Sequence, residues 1–270
     1  MEWRLFLVYL AVSAACCSIG FKKTVYFLSA GYGMAVAGLG IAYLATILHR
    51  GYPCGWVMVI QCVLLATYGL RLAIYLFYRE VKFSSYRVIL NNLKSADGHE
   101  PFMVRFGIWA GVSVLYILQT CPVFFRAYNG RGTDVALPLV GIVISVLGLL
   151  LENQADVTKS RLKRIDPAKP ATKGVYRIVR CPNYLGEMIF WTGMFVGALN
   201  ALQGGLQWTM AIGGYVMIIM IMFNSAQRLE KRQEARYGTD HAYRRYAQTT
   251  PILLPLVPLY TLGGRKKDAR

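Results

Sequence analysis

Residues 135–152 have the sequence VALPLVGIVISVLGLLLE, an uncharged and mostly apolar run that ends in Glu152. A helix that crosses a bilayer needs roughly 17–25 predominantly apolar residues. A water-soluble core does not require an apolar block of this length. Residues 135–152 therefore predict a membrane-spanning helix that carries an acid at its end.

Six more apolar segments lie to either side of this one. Hydrophobic residues make up 56% of the 270-residue chain and charged residues only 16%, whereas soluble domains usually carry about 25% charged residues. The chain shows no repeat between its halves and no low-complexity linker. We therefore predict an all-α, polytopic membrane protein with about seven transmembrane helices, folded as a single membrane domain over residues 1–270. The further segments lie at about residues 5–20, 24–48, 56–77, 103–125, 184–200 and 207–223.

Lysine and arginine are distributed unevenly over the connections between these segments. Seven crossings would place 24 of the 30 Lys and Arg side chains on one side and four on the other, with Arg71 and Arg105 inside spans. Cytoplasmic connections carry the excess of positive charge in membrane proteins. The sequence therefore predicts an N-terminus outside and a C-terminus in the cytosol, which favours the bacterial inner membrane over the endoplasmic reticulum.

The charge and the cysteines argue against several classes of function. The formal net charge is +17, but the cations lie between apolar segments, as bilayer topology demands. We therefore expect membrane lipids, and no nucleic acid, as partners. None of the six cysteines falls in a C-x-x-C pair and the chain has only three histidines, so we expect no zinc or haem site. The first apolar block runs on into further spans and is expected to be retained rather than cleaved as a signal peptide.

Two charged pairs occur where the apolar run of residues 135–152 ends. Glu152 and Asp156 are four residues apart, as are Lys159 and Lys163, so each pair shares a helix face. A carboxylate in hydrocarbon is costly, so Glu152 must meet water, a cation or a ligand. A solvated helix end with ordinary i,i+4 pairs explains these residues equally well.

The strongest candidate for a binding site is residues 174–187, GVYRIVRCPNYLGE. Pro182 suits the first turn of a helix, so we expect a helix to begin near it with free N–H groups on the cytosolic side. Such a helix start beside Arg177 and Arg180 favours a phosphate. Glu187 then lies about one turn inside an apolar helix, where it either contacts a ligand or pairs with an arginine as a structural acid.

Two further features place polar groups near or inside spans. Residues 228–246 form a basic amphipathic segment, and its simplest interpretation is contact with anionic lipid. Tyr68 and Arg71 lie three residues apart inside the third span, on one helix face. An arginine inside a span usually faces a cavity or a partner, and structural pairing of Arg71 with one of the C-terminal acids is the alternative.

The motifs of the C-terminal half resemble those of the steroid 5-alpha-reductase-like family of integral membrane enzymes. Three motifs occur in the family's order over about residues 150–255, and the ordered set is far more specific than each short string. Weaker matches at Gly31-Tyr32-Gly33 and Tyr68-x-x-Arg71 extend the likeness over most of the chain. The three motifs are Glu152-x-x-x-Asp156-x-x-Lys159, Arg180-x-Pro182-Asn183-Tyr184-Leu185-Gly186-Glu187 and Leu229-Glu230…Arg236-Tyr237-Gly238…Tyr243-x-x-Tyr246…Pro251.

This resemblance implies an NADPH-dependent reductase with a seven-helix membrane fold and a cofactor-binding C-terminal half, residues 150–255. In such enzymes a hydride passes to the β-carbon of an enone, so the expected substrate is a lipophilic, steroid-like 3-oxo-Δ4 compound. The chain has no Rossmann G-x-G-x-x-G motif, which agrees with a cofactor site inside the membrane domain. By matching position, Tyr68 and Glu187 would be catalytic, and the cofactor would contact Tyr32, Glu152, Asp156, Lys163, Arg180, Asn183, Glu187 and Glu230.

The chain departs from the family at one point, and two other functions stay open. Steroid reductases of animals carry an acid paired with the substrate-binding tyrosine on an early helix, whereas no Asp or Glu occurs here between Glu2 and Glu80. Either Glu187 or another group therefore polarises the carbonyl, or the substrate is not a 3-oxo-Δ4 steroid. Isoprenylcysteine-type methyltransferases, which use S-adenosylmethionine, show a similar Arg-His-Pro-x-Tyr motif followed by Gly. A non-enzymatic membrane scaffold would explain the charge bias, but not the acids at helix ends.

Overall fold

The computed structural model describes residues 3–82 and 101–263. These ranges contain α-helices, short 3-10 helices and no strand. Helices α1 to α7 follow the seven predicted apolar segments in order, which confirms the all-α prediction for the described residues. The helices are α1 (Trp3–Cys17), α2 (Ala30–Arg50), α3 (Trp56–Lys82), α4 (Phe102–Tyr128), α5 (Ala136–Ile165), α6 (Pro182–Val196), α7 (Gly204–Tyr237) and α8 (His241–Thr249).

Six helical segments in the described part of the chain are long and apolar enough to cross a membrane. They are α2, α3, α4, α5, α7, and α1 together with the 3-10 helix that follows it to Phe21. The protein is therefore an integral, multi-pass membrane protein. Helix α6 has 15 residues, about 22 Å at 1.5 Å per residue, and is shorter than the ~30 Å hydrocarbon core.

Two helices extend well beyond the apolar segments that predicted them. Helix α5 has 30 residues and continues to Ile165, and α7 has 34 residues and continues to Tyr237. Much of the charged segments 153–183 and 224–250 is therefore helical. Apolarity marks where a helix meets lipid, whereas charged side chains with good helix propensity let the helix continue into water.

The described residues fall into two compact units. Unit 1 lies within Met1–Ile142 and Met194–Tyr215, and unit 2 lies within Val143–Gly193 and Val216–Arg270. Helices α1 to α4 belong to unit 1 alone, and α8 belongs to unit 2 alone. Helices α5, α6 and α7 contribute residues to both units.

Glycines allow α2 and α3 of unit 1 to pack backbone against backbone. A Cβ atom added to Gly69 would lie 2.3 Å from the carbonyl oxygen of Gly33, and one added to Gly33 would lie 2.7 Å from that of Gly69. Close approach through small residues is a common way for membrane helices to associate. Because Tyr32 and Tyr68 directly precede these two glycines, the same contact brings the two tyrosines together.

Polar contacts mark the two ends of the helices in unit 1. The Lys23 ammonium lies 2.5 Å from the Glu80 carboxylate, which places the connection before α2 at the same end as the last turn of α3. The Gly55 N–H donates to the carbonyl oxygen of Gly132 at 3.0 Å, which places the start of α3 beside the connection after α4. Helices α2 and α3, and likewise α3 and α4, therefore run in opposite directions.

Arg126, at the end of α4, holds part of unit 1 together. Its side chain is 1% exposed and donates to the carbonyl oxygens of Gly197, Arg131 and Asp134 at 2.7, 3.0 and 3.2 Å, and to Oδ1 of Asn200 at 3.0 Å. A buried guanidinium needs several acceptors for its five N–H donors. Arg126 therefore binds the α4–α5 connection to the residues that follow α6.

In unit 2, α5 and α6 also meet at glycines. A Cβ atom added to Gly148 would lie 2.5 Å from the carbonyl oxygen of Gly186 and 2.4 Å from the backbone nitrogen of Phe190. A short amphipathic helix, α8, completes this unit, and the Asp240 carboxylate caps it by accepting from the Ala242 N–H at 2.8 Å. The cap satisfies an N–H group that a helix start otherwise leaves without a partner.

Candidate functional site

Arg180 is the centre of an ion-pair network in unit 2. Its side chain is 2% exposed and donates to Oε1 of Glu230 at 3.0 Å and to the carbonyl oxygen of Tyr260. The second carboxylate oxygen of Glu230 accepts from the backbone N–H groups of Leu262 and Gly263 at 2.8 and 3.2 Å. We call Arg180, Glu230 and the chain segment 251–263 the Arg180 cluster.

Backbone pairing strengthens this cluster. The N–H of Arg180 donates to the carbonyl oxygen of Pro251, and the N–H of Cys181 to that of Ile252, both at 2.9 Å. The Cys181 side chain is buried as a result, and burial raises the pKa of its thiol to about 12 although the charge of Arg180 opposes the shift. Segment 251–263 is thereby fixed against the residues that precede α6.

Three carboxylates are buried around the start of α6. Glu152, Asp156 and Glu187 are 3%, 8% and 7% exposed. A Cβ atom added to Gly186 would lie 2.7 Å from the backbone nitrogen of Glu152, so α5 passes the first turns of α6 at this residue. Since ionisable groups at membrane depth are costly, they usually mark ligand or ion sites. The arrangement supplies hydrogen-bond acceptors to a ligand that carries hydroxyl or amide donors.

Helix α6 begins at Pro182, as its sequence predicts. Asn183, in the first turn of this helix, is half-buried. The charges of Arg228 and Arg232, both on α7, act on the hydroxyl group of Tyr184, and the charge of Lys159 acts on the neighbouring Cys181. The start of α6 therefore combines a helix N-terminus with the charges of nearby cations, which is favourable for binding a phosphate.

Lys163 closes the turn that follows α5. Its ammonium group donates to the carbonyl oxygens of Pro167 and Lys169, the former at 3.0 Å, and to the hydroxyl of Tyr237 at 2.8 Å. The ends of α5 and α7 therefore lie side by side in unit 2. In this position the Lys163 side chain orders the chain around it.

Unit 1 contains a group of hydrogen-bonded polar side chains among its helices, which we call the Tyr68 cluster: Tyr32, Tyr68 and Gln119. Tyr68 is fully buried and Tyr32 is 4% exposed, and their hydroxyl oxygens are 3.3 Å apart. Nε2 of Gln119 donates to the Tyr32 hydroxyl at 3.1 Å. These three side chains are uncharged at neutral pH, so the cluster brings hydrogen-bonding capacity into the bundle without bringing charge.

The predicted site residues thus divide between the two units. Tyr32 and Tyr68 lie together in unit 1. The other predicted residues all lie in unit 2, where Arg180 pairs with Glu230 and Glu152 lies against the helix that carries Glu187. These unit 2 residues are Glu152, Asp156, Lys163, Arg180, Asn183, Glu187 and Glu230.

Residues 24–250 match the family described as Protein of unknown function (DUF1295). The chain belongs to this family. The DUF1295 family is the steroid 5-alpha-reductase-like group. No significant match was found among curated proteins or among solved structures.

Four residues around these DUF1295 sites were not among the predicted site residues. The charges of Lys159, Arg228 and Arg232 act on side chains at the start of α6, and these residues lie on charged helix ends that were visible in the sequence. Gln119 contacts Tyr32, and its only sequence signal is a single amide inside an apolar span. Both signals indicate polar faces, but not which side chains those faces meet.

Proposed function

We propose that this DUF1295 protein is a membrane-embedded, NADPH-dependent reductase that transfers a hydride to the C=C bond of a lipophilic enone. A steroid-like 3-oxo-Δ4 compound is the favoured substrate. The observation that carries the proposal is the convergence of buried carboxylates and cations at the start of α6 in unit 2. Family membership supports the same reaction class.

The residues around the start of α6 fit NADPH by their chemistry. NADPH carries a pyrophosphate and a 2′-phosphate, which cations such as Lys159, Arg228 and Arg232 and a helix start can bind. Its ribose hydroxyls and carboxamide are donors, which buried carboxylates such as Glu152 and Glu187 can accept. S-adenosylmethionine carries no phosphate, so a cation-rich helix start favours the dinucleotide.

In the proposed reaction, bound NADPH supplies the hydride that reaches the β-carbon of the enone. Tyr68 donates its hydroxyl hydrogen to the enone carbonyl, and so stabilises the negative charge that this oxygen develops. Full burial of Tyr68 keeps water away from that hydrogen bond and strengthens it. A proton from water then adds at the α-carbon, which gives the saturated ketone and would leave the cofactor in its oxidised form. Glu187 is proposed to orient the cofactor from the first turns of α6.

We further propose seven crossings, with the N-terminus outside and the C-terminus in the cytosol of a bacterial inner membrane. Helices α5 and α7 are both long enough to cross, and Lys163 near the end of α5 contacts Tyr237 at the end of α7. Two crossings that end on the same side require a return between them. This supports the proposal that residues 166–203, which contain α6, return across the membrane as the seventh passage.

Cysteine labelling in intact cells tests this topology. Cys54 lies in the connection between α2 and α3 and is partly exposed. A membrane-impermeant maleimide added outside is expected to label Cys54 when the outer membrane is permeabilised. Labelling only after the inner membrane is also opened would reverse the orientation.

Ligand titration tests the reductase proposal. We expect NADPH to raise the thermal unfolding temperature of the purified protein in detergent, and S-adenosylmethionine to leave it unchanged. NADPH consumption should then appear with at least one member of a panel of 3-oxo-Δ4 steroids and acyclic enones. Stabilisation by S-adenosylmethionine alone would instead support a methyltransferase, and a response to neither ligand would support a non-enzymatic scaffold.

A further inference from the structure

The sequence leaves open which group polarises the substrate carbonyl, because no acid precedes Glu80 in the early helices. Glu80 itself lies at the end of α3 and already has partners there. Its carboxylate contacts Lys23 and accepts a hydrogen bond from the hydroxyl of Tyr26. The side chains hydrogen-bonded around Tyr68 include Tyr32 and, through it, Gln119. A second phenol and an amide are therefore the candidates for the role of the missing acid.

The amide of Gln119 sets the direction of hydrogen-bond donation among these side chains. An amide N–H can only donate, so the Tyr32 oxygen accepts from Gln119. Acceptance makes the Tyr32 hydroxyl a better donor, since linked hydrogen bonds polarise one another. Donation from Tyr32 to Tyr68 in turn favours the Tyr68 hydroxyl hydrogen as the donor to a substrate carbonyl.

A second observation indicates that Gln119 has more than a packing role. The side chain is 4% exposed, and its carbonyl oxygen has no hydrogen-bond partner among the described residues. A buried polar atom without a partner is destabilising, and such atoms in native structures often belong to functional sites. A leucine would fill the same space without that penalty.

We propose that Gln119 is a positioning residue, which holds the Tyr32–Tyr68 pair so that Tyr68 donates to the enone carbonyl. This inference rests on the proposed reductase function and deepens it. The carbonyl is polarised by a neutral relay of one amide and two phenols, in place of a carboxylic acid paired with a tyrosine. Its substrate end therefore recognises a neutral acceptor, such as a ketone, and does not favour a carboxylate.

Two variants at Gln119 test the relay on the full-length protein in detergent. Gln119→Leu removes the donor to Tyr32 and should lower kcat for enone reduction at least about tenfold, the equivalent of one hydrogen bond. The KM for NADPH should change far less than kcat, since every predicted cofactor residue except Tyr32 lies in unit 2. Ser113→Ala is the control, because Ser113 is an equally buried polar residue on α4 whose hydroxyl donates to the carbonyl oxygen of Trp109 in the same helix.

Gln119→Glu gives a readout that a structural role would not produce. A protonated glutamic acid can donate to Tyr32 as the amide does, whereas a carboxylate can only accept and would reverse the direction of donation. Activity of this variant should therefore fall as pH rises through the pKa of the new carboxyl group. The same fall with pH in the parent enzyme would contradict the relay, and so would a Gln119→Glu profile that matches the parent.

The outcomes separate this inference from the function on which it rests. A parent enzyme that reduces enones, with Gln119→Leu equally active, would overturn the relay and leave the reductase function intact. A parent that reduces no enone would overturn both. If Gln119→Leu fails to fold, the pH profile of Gln119→Glu decides the question by itself.

Discussion

The Tyr68 cluster of unit 1 and the Arg180 cluster of unit 2 bury polar groups in opposite ways. The Tyr68 cluster is built from uncharged side chains, and the carbonyl oxygen of Gln119 has no partner among the described residues. The Arg180 cluster is built around an ion pair, and both carboxylate oxygens of Glu230 accept hydrogen bonds. The Tyr68 cluster is thus neutral and contains an acceptor without a partner among the described residues. The Arg180 cluster is charged and is hydrogen-bonded to the backbone around it.

This difference indicates which buried polar groups suit catalysis and which suit structural stability. A buried ion pair is costly to break, because each charge depends on the other. Arg180 and Glu230 therefore hold segment 251–263 in place, and they can serve a cofactor by fixing the chain that precedes α6. The neutral Tyr68 cluster can bind and release a ketone without separating charges. Catalytic hydrogen bonding is thus expected in unit 1, and anion binding in unit 2.

Glycine substitutions should have the largest effect, because both clusters depend on close helix contacts. Gly69→Val in unit 1 and Gly186→Val in unit 2 each place a side chain where a Cβ atom would already lie under 3 Å from backbone atoms. We expect loss of monodisperse protein on size-exclusion chromatography in detergent for both variants. Gly111→Val and Gly213→Val are the controls, since a Cβ atom there meets nothing within 4 Å. Normal elution of Gly69→Val or Gly186→Val would show that the helices can move apart freely.

Breaking the ion pair of the Arg180 cluster should have the next largest effect. Arg180→Met leaves the Glu230 carboxylate without its cation, and loss of one member of a buried pair typically costs about 3–5 kcal/mol. We expect a marked fall in thermal stability and faster proteolysis of segment 251–263. Lys169→Met is the control, because Lys169 pairs with Asp166 on the surface with 78% and 38% of the two side chains exposed. An exposed pair contributes little to stability, so equal effects of the two variants would contradict a stabilising role of the Arg180–Glu230 pair.

Substitutions at the start of α6 should reduce cofactor affinity with little effect on folding. Asn183→Ala removes a hydrogen-bonding side chain from the proposed NADPH site, and Glu187→Gln replaces a carboxylate acceptor with an amide donor. Each should weaken NADPH binding about tenfold, or ~1.4 kcal/mol. Binding can be followed by cofactor fluorescence or by the shift in unfolding temperature. Asn153→Ala, an exposed position on α5, should bind normally. Full affinity in both α6 variants would place the cofactor elsewhere.

Much of the helical framework could be predicted from the sequence because lipid imposes a strong local rule. Each apolar run yielded a helix, and Pro182 marked the start of α6 because proline fits the first turn of a helix. The ends of α5 and α7 could not be predicted from apolarity. Both helices continue through charged residues, where solvent and not lipid surrounds them.

The partners of the polar residues were not predictable, because they depend on contacts between distant parts of the chain. Arg180 and Glu230 are 50 residues apart, and Gln119 and Tyr32 are 87 apart. The motif around Arg180 indicated an anion site, but the anion that contacts its guanidinium in the structure is the chain's own carboxylate. The sequence indicated Tyr68 through a resemblance, whereas Gln119 belongs to no motif and only its hydrogen bond to Tyr32 reveals it.

The smallest effect we predict is a difference in labelling between two cysteines. Cys181 is 1% exposed, and its pKa of about 12 leaves almost no thiolate at pH 7. Cys54, in the α2–α3 connection, is partly exposed, and burial raises the pKa of its thiol as well. A soluble maleimide should modify Cys54 first. Raising the pH to about 9 should increase the rate of Cys54 modification while Cys181 stays unreactive, because the thiolate is the reacting form.

The same measurement, made on Arg180→Met by peptide mass spectrometry, links the labelling to the Arg180 cluster. If the ion pair holds segment 251–263 over the residues before α6, its loss should expose Cys181 and raise its labelling rate, and Cys54 should be unaffected. Equal acceleration of both cysteines would mean that the variant unfolds as a whole. No acceleration at Cys181 would mean that the backbone pairing of Arg180 and Cys181 with Pro251 and Ile252 holds the segment without the ion pair. In that case Arg180 would be available to a cofactor, and the structural role assigned to the Arg180–Glu230 pair would be wrong.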